Sequence, residues 1–172
     1  MKNVLILCTA NSARSILAEA VLNRVGAGRF RAYSAGSHPR GTPNPRAIEL
    51  LTSLDYPVSD LRSKSWDEFA VADAPKMDIV ITVCDAAAGE SCPLWPGGPV
   101  KAHWGIPDPA GVPGGDEAER AAFRVAHDRL LARMEALAAL PVETMTDSAL
   151  SSHMQDIAKL EGATAVAEQG LY

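Results

Sequence analysis

Basic charge, cysteine and long apolar runs are all in short supply in this chain, and each shortage excludes a class of protein. Against 21 Asp and Glu there are only 16 Lys and Arg, a formal charge of -5. A non-specific nucleic-acid binder carries a basic field, so that class is excluded. No apolar run approaches the roughly 20 residues of a membrane span. The opening Met1-Lys2-Asn3-Val4-Leu5-Ile6-Leu7-Cys8 is too short and too polar at its edge for a signal peptide, so a cytoplasmic location is expected. The 3 cysteines are too few, and odd in number, for a secreted disulfide scaffold. There is no Gly-x-x-x-x-Gly-Lys-Ser/Thr nucleotide loop and no internal repeat. In a reducing cytosol three thiols are packing groups, metal ligands or redox chemistry, and the function turns on which.

What is present is enough apolar mass for a core. The chain is 47% hydrophobic over 172 residues, a length that suits one compact domain. Residues 4–7 form a continuous apolar run of β-formers, the signature of a strand buried on both faces. A helix follows, with Ile16, Leu17, Ala20, Val21 and Val25 at helical spacing and Gly26 and Gly28 as a stop. Residues 30–34 read as a second strand, residues 78–84 as the clearest strand, and residues 100–104 as a fourth. Pro45 suits the first turn of a helix carrying Ala47, Ile48, Leu51 and Leu54. A long helix is expected over 117–140, with Ala121, Ala122, Val125, Leu130, Met134 and Leu137 toward the core. Alternating strands and helices predict an α/β fold: a three-layer, four-stranded parallel sheet flanked by helices. Pro141 marks a boundary between residues 1–140 and an extension, 141–172. There Leu150, Met154, Ile157 and Leu160 predict one more amphipathic helix, packed on the body or on a partner.

The stretch Cys8-Thr9-Ala10-Asn11-Ser12-Ala13-Arg14-Ser15 lies between a parallel strand and a helix N-terminus. In open α/β sheets ligands bind there. Backbone N–H groups of such a loop form an anion nest, and the helix dipole adds positive potential. If the loop closes on itself, the Arg14 guanidinium meets the Cys8 sulfur across a tetrahedral oxyanion and grips two of its oxygens. The same field lowers a thiol from about 8.5 to roughly 3.5–7.5, which makes Cys8 the expected nucleophile. Ser15 has a hydroxyl to offer that thiolate, and Asn11 tolerates left-handed geometry and ties the loop with its amide. Thr9, Ala10, Asn11, Ser12, Ala13, Arg14 and Ser15 are the expected oxyanion-binding residues.

Cys-x5-Arg-Ser on the first strand–helix turn resembles the low-molecular-weight tyrosine phosphatases. The fuller form Cys-Thr-x-Asn-Ser-x-Arg-Ser resembles their relatives, the arsenate reductases. Tyr33-Ser34-Ala35-Gly36 and Asp108-Pro109 match in order and spacing, and the resemblance covers about residues 2–138. Residues 1–140 would then be the catalytic domain. The resemblance implies that Asp108 is the general acid, although Ala110 and Gly111 replace the usual aromatic that grips an aryl substrate. Cys84 and Cys92 distinguish the relatives. Phosphoryl transfer has no use for two further cysteines, whereas reduction needs two electrons. The reductase resemblance implies attack of Cys8 on arsenate, of Cys84 on Cys8, and of Cys92 on Cys84. An external thiol donor, thioredoxin or glutaredoxin with glutathione, then reopens the Cys84–Cys92 disulfide.

Were residues 84–92 helical, their ends would stand roughly 12 Å apart, beyond the ~7 Å a disulfide tolerates between Cα atoms. An order change over residues 85–98 on oxidation is therefore expected, with Ala86 to Ala88 favouring a short helix and Gly89 and Pro93 breaking it. Some family members bind potassium through Asn, Glu, Ser and Asp. Asn11, Glu19 and Ser34 match, but Ser65-Trp66 stands near the place of the Asp, so no metal and no cofactor is expected. A zinc site from Cys84, Cys92 and His103 fits no standard spacing. His38, His127 and His153 read as surface residues, His103 as support for the loop before Asp108, and Trp66, Trp95 and Trp104 as packing. Arg40 and Arg46 read as solvated positions that steer anions inward. The rival readings are a tyrosine phosphatase using Cys8, Arg14 and Asp108 alone, and a non-catalytic oxyanion or redox sensor.

Overall fold

The apolar N-terminal run becomes β1 (Lys2–Cys8), and β2 (Phe30–Gly36), β3 (Ile79–Thr82) and β4 (Val100–His103) join it. In the computed structural model, which describes residues 1–170, they form one parallel sheet in the order β2-β1-β3-β4. Strand alternation divides the core. Val4, Ile6 and Cys8 enter the main cluster, while Leu5 and Leu7 enter a second one on the opposite face. The main face holds α1 (Arg14–Val25), α2 (Pro45–Ser53), α4 (Gly115–Ala138) and α5 (Asp147–Ala158), whose buried apolar residues all join one cluster. The second face is covered more thinly, by the 3-10 turn Trp66–Phe69 together with Met77, Trp95 and Cys92. Two short helices complete the chain, α3 (Asp85–Ala88) and α6 (Ala165–Glu168). No helix of the described residues is long and apolar enough to cross a membrane.

Four expectations need correction. The third strand is shorter than residues 78–84, because Asp78 turns its carboxylate to the Asn3 N–H (2.8 Å) and Cys84 turns its sulfur to cap α3. The stripe of α4 is Phe123, Ala126, Leu130, Met134 and Leu137; Ala121 and Val125 are exposed. His127 is buried, with Tyr56 Oη 3.1 Å from its Nε2, and is not a surface residue. Leu160 is 38% exposed and lies outside the buried stripe of α5.

The extension is joined to the body by polar contacts as well as by its stripe. The Trp104 indole N–H donates to Met154 O at 2.9 Å. Arg133, wholly buried in α4, donates to the carbonyls of Leu160 (2.8 Å) and Glu161 (3.2 Å) just past the end of α5. Burial, with the nearby Arg129 charge, lowers its guanidinium to about 10.

Candidate active site

The C-terminal edge of the parallel sheet gathers the loop after β1, the α3 turn after β3 and the segment after β4. Together they enclose a cavity of about 200 Å³ lined by Cys8, Thr9, Ala10, Ser12, Ala13, Arg14, Arg40, Cys84, Ala86, Asp108 and Ala110. Larger hollows beside α4 and around Glu19 carry no nucleophile.

Local forces shape the loop. The carbonyls of Thr9, Ala10 and Ser12 accept from the N–H groups of His38 (2.9 Å), Arg40 (3.1 Å) and Asn44 (2.8 Å). Across a trans peptide the N–H points opposite to its carbonyl, so the N–H groups of Ala10 and Ala13, which line the cavity, face away from that segment. Ala13, the N-cap of α1, has no side-chain cap, which leaves the helix N-terminus for an anion. Asn11 is fully buried at φ 43°. Its amide donates to Ser15 Oγ (2.8 Å) and Ser34 Oγ (3.0 Å) and accepts from the Lys64 N–H (2.9 Å). Asn11 and Ser15 thus brace the loop from behind rather than line the cavity, and the Ser15 hydroxyl meets the Asn11 amide. Behind them Ser34 donates to Glu19, and Lys64 Nζ stands 3.9 Å from the same carboxylate. Burial raises Glu19 and lowers Lys64 from their ordinary values. The Lys64 amine and the Glu19 carboxyl thus share one buried pocket behind the loop.

Arg14 Nη1 donates to Ile106 O at 3.0 Å, Nη2 lies 3.5 Å from Asp108 Oδ2, and Nε is buried without a partner among the described residues. Asp108 accepts from the Ala110 N–H at 3.0 Å through its other oxygen and remains 54% exposed. Arg40 stands at the mouth of the cavity, whereas Arg46 is engaged by Glu49, Asp116 and Glu119. No motif marked Arg40 as a lining residue; its place follows from the backbone pairing of residues 37–44 with the loop.

Cys8 and Cys84 meet in this cavity. Cys84 Sγ accepts from the backbone N–H of Thr9 and of Ala87, each at 3.4 Å. The hydrogen bond from Cys8, followed by those two N–H groups and the Arg14 charge, lowers Cys84 to about 5 against the cost of burial. The bond to Cys84 pushes Cys8 up, and burial and the Cys84 charge add to it; Arg14 and the Thr9 N–H pull the other way. The two thiols are coupled, and the Thr9 and Ala87 N–H groups favour negative charge at Cys84.

Cys92 is half-buried against the second cluster, across the sheet from the cluster that holds Cys8 and Cys84. The structure therefore brings together Cys8, Arg14, Asp108 and Cys84 and leaves Cys92 outside the cavity. Between them, α3 is one turn ended by Gly89, the short helix that the alanines predict. The segment beyond it is tied back where Thr9 Oγ1 donates to Glu90 Oε1 at 2.9 Å, a contact with no sequence signal. His103 is buried, with Nε2 2.8 Å from Asp85 Oδ1 and packed against Gly105 in the segment before Asp108.

A parallel α/β sheet with a cysteine–arginine loop at the C-terminal end of its first strand defines a class of oxyanion-loop proteins. The chain belongs to the low molecular weight phosphotyrosine protein phosphatase family, whose model matches residues 3–150. It is 34% identical over 137 residues to an arsenate reductase of Halalkalibacterium halodurans, covering 80% of this chain and 95% of that relative. An arsenate reductase of Bacillus subtilis (strain 168) is 32% identical over 137 residues with the same coverage. The solved arsenate reductase from Archaeoglobus fulgidus DSM 4304 superposes with a TM-score of 0.62 at 26% identity, over 80% of this chain and 99% of that one.

Proposed function

We propose that the chain is an arsenate reductase that draws its electrons from the Cys84–Cys92 pair, in the service of arsenic detoxification in the cytoplasm. The observation that carries this reading is the second thiol, Cys84, which lines the oxyanion cavity together with Cys8. The arsenate reductases among its relatives support it.

In this mechanism the loop N–H groups and Arg14 hold arsenate against Cys8. The Cys8 sulfur bonds to arsenic, and its proton leaves with a hydroxyl as water, with Asp108 passing the proton to the departing oxygen. The Cys84 thiolate then attacks Cys8 Sγ. A Cys8–Cys84 disulfide forms, and the electron pair of the arsenic–sulfur bond stays on arsenic, which departs as arsenite. Attack by Cys92 on Cys84 frees Cys8 as a thiolate. A dithiol donor, thioredoxin or glutaredoxin with glutathione, reduces the Cys84–Cys92 disulfide, so one arsenate consumes two thiols and yields arsenite, water and a disulfide. No metal or cofactor takes part.

The test is arsenite production with each donor by wild type and by Cys8→Ser, Cys84→Ser and Cys92→Ser. Each substitution is expected to lower multiple-turnover activity at least about 100-fold. Full reductase activity in any of the three overturns the relay. A tyrosine phosphatase would use Cys8, Arg14 and Asp108 alone, and its aryl-phosphate turnover would survive Cys84→Ser and Cys92→Ser.

A further inference from the structure

Asp85, the residue after Cys84, is held by the C-terminal extension. Its Oδ1 accepts from Thr164 Oγ1 at 2.7 Å and lies 2.8 Å from His103 Nε2, whose Nδ1 is 2.8 Å from Thr82 Oγ1. The three groups converge over Gly105. A Cβ at that position would stand 2.5 Å from both Asp85 Oδ1 and Thr164 Oγ1 and 2.6 Å from His103 Nε2, so the junction requires glycine for space. The Thr164 N–H donates to Gly105 O at 3.0 Å, and its hydroxyl caps α6 by accepting from the Ala167 N–H at 3.3 Å. Thr164 lies beyond residues 3–150, the part matched by the family model.

A four-residue helix such as α3 does not stand alone in water; its contacts hold it. One is Cys84 itself, whose sulfur is the N-cap acceptor for the Ala87 N–H. Another is the grip on Asp85. Cys84 and Cys92 belong to clusters on opposite faces of the sheet, and their sulfurs must come within about 2.05 Å to bond. That approach takes Cys84 Sγ away from Ala87, uncaps α3 and moves the adjoining Asp85. We propose that the C-terminal extension clamps the α3 turn through Thr164, holding Cys84 in the cavity and letting go when Cys84 pairs with Cys92. This rests on the relay proposed above. By linkage, a contact that favours the reduced turn opposes the disulfide, and the disulfide loosens the extension to the same degree. Thr164 is in this sense a positioning residue.

The test uses the full chain oxidised with the diazene diamide. One thiolate adds to the N=N bond, and the second attacks that sulfur. The Cys84–Cys92 bond forms, and both electrons and both protons end on the hydrazine. Peptide mapping follows the Cys84–Cys92 disulfide in wild type, Thr164→Val and Thr164→Ser. The valine variant is expected to form it about fivefold faster, the worth of one hydrogen bond, and the serine variant at the wild-type rate. Hydrogen exchange on wild type alone, which needs no variant to fold, should show the amides of 164–169 losing protection on oxidation. A Thr164→Val rate equal to wild type, or unchanged protection of 164–169 once the disulfide is present, overturns the clamp and leaves the relay standing. Absence of any Cys84–Cys92 disulfide overturns both.

Discussion

Which sulfur holds the proton decides how the cavity begins its chemistry. The N–H groups of Thr9 and Ala87 favour negative charge on Cys84, which the bond from Cys8 also lowers. Because the hydrogen bond from Cys8 is the foremost influence lowering Cys84, Cys8→Ala should move the Cys84 titration upward from about 5; the thiolate absorbance at 240 nm between pH 4 and 10 measures it. A midpoint unmoved by Cys8→Ala would show that the two sulfurs do not share a proton. Arg14 has its own test. Two of its nitrogens are turned to Ile106 and Asp108 while Nε is buried and unpartnered among the described residues, so a planar fork and not a point charge serves the oxyanion. Arg14→Lys keeps the charge and should still lower arsenite formation about 100-fold, ~2.7 kcal/mol; retention of a tenth of the activity or more would contradict that role. Cys8, Arg14, Cys84 and Asp108 were legible in the sequence because their spacing or place at a strand end puts them on one rim. The protonation of the pair was not, since it depends on contacts between residues 75 apart.

At the scale of elements, the four strands and the long helices follow from apolar runs and periodicity, whereas their order β2-β1-β3-β4 comes from the structure, since parallel pairing alone admits several orders. The phase of α4 did not follow either, because its N-terminal half is alanine-rich and Ala121 and Ala122 carry little information about which side faces inward. The closeness of β2 to the oxyanion loop was legible only as a motif, Tyr33-Ser34-Ala35-Gly36, without its physical reason. That reason is space. A Cβ on Gly36 would stand 2.4 Å from Thr9 O, 2.8 Å from Cys8 O and 3.0 Å from Asn11 N, all backbone atoms that have nowhere to yield. Gly36→Ala should therefore push the loop off the strand, lowering the urea-derived stability by about 2 kcal/mol and weakening binding of inorganic phosphate or arsenate along with it. Unchanged stability and unchanged anion binding would show that the loop has room the distances deny.

For the whole molecule, the question the sequence left open was whether the extension beyond Pro141 packs on the body or on a partner, since an apolar stripe says only that something covers it. The structure packs it on the body. Leu150, Met154, Ile157 and Ala158 join the same cluster as Val4, Ile6 and Trp104, and α5 runs beside β4, an edge strand of the sheet. Trp104 is wholly buried and finds the partner for its indole N–H in the Met154 carbonyl. The anchors Arg133 and Trp104 were not predictable from local sequence, because each reaches across 27 residues or more to a carbonyl. If α5 is core, its residues should cost what core residues cost. Met154 has no exposed surface whereas Leu160 is 38% exposed. Met154→Ala should lose about 3 kcal/mol, or a thermal midpoint lower by roughly 6–12 °C at this chain length, while Leu160→Ala should lose less than about 0.5 kcal/mol. Equal and small losses at both positions would mean that α5 contributes no core and that the sheet closes without it.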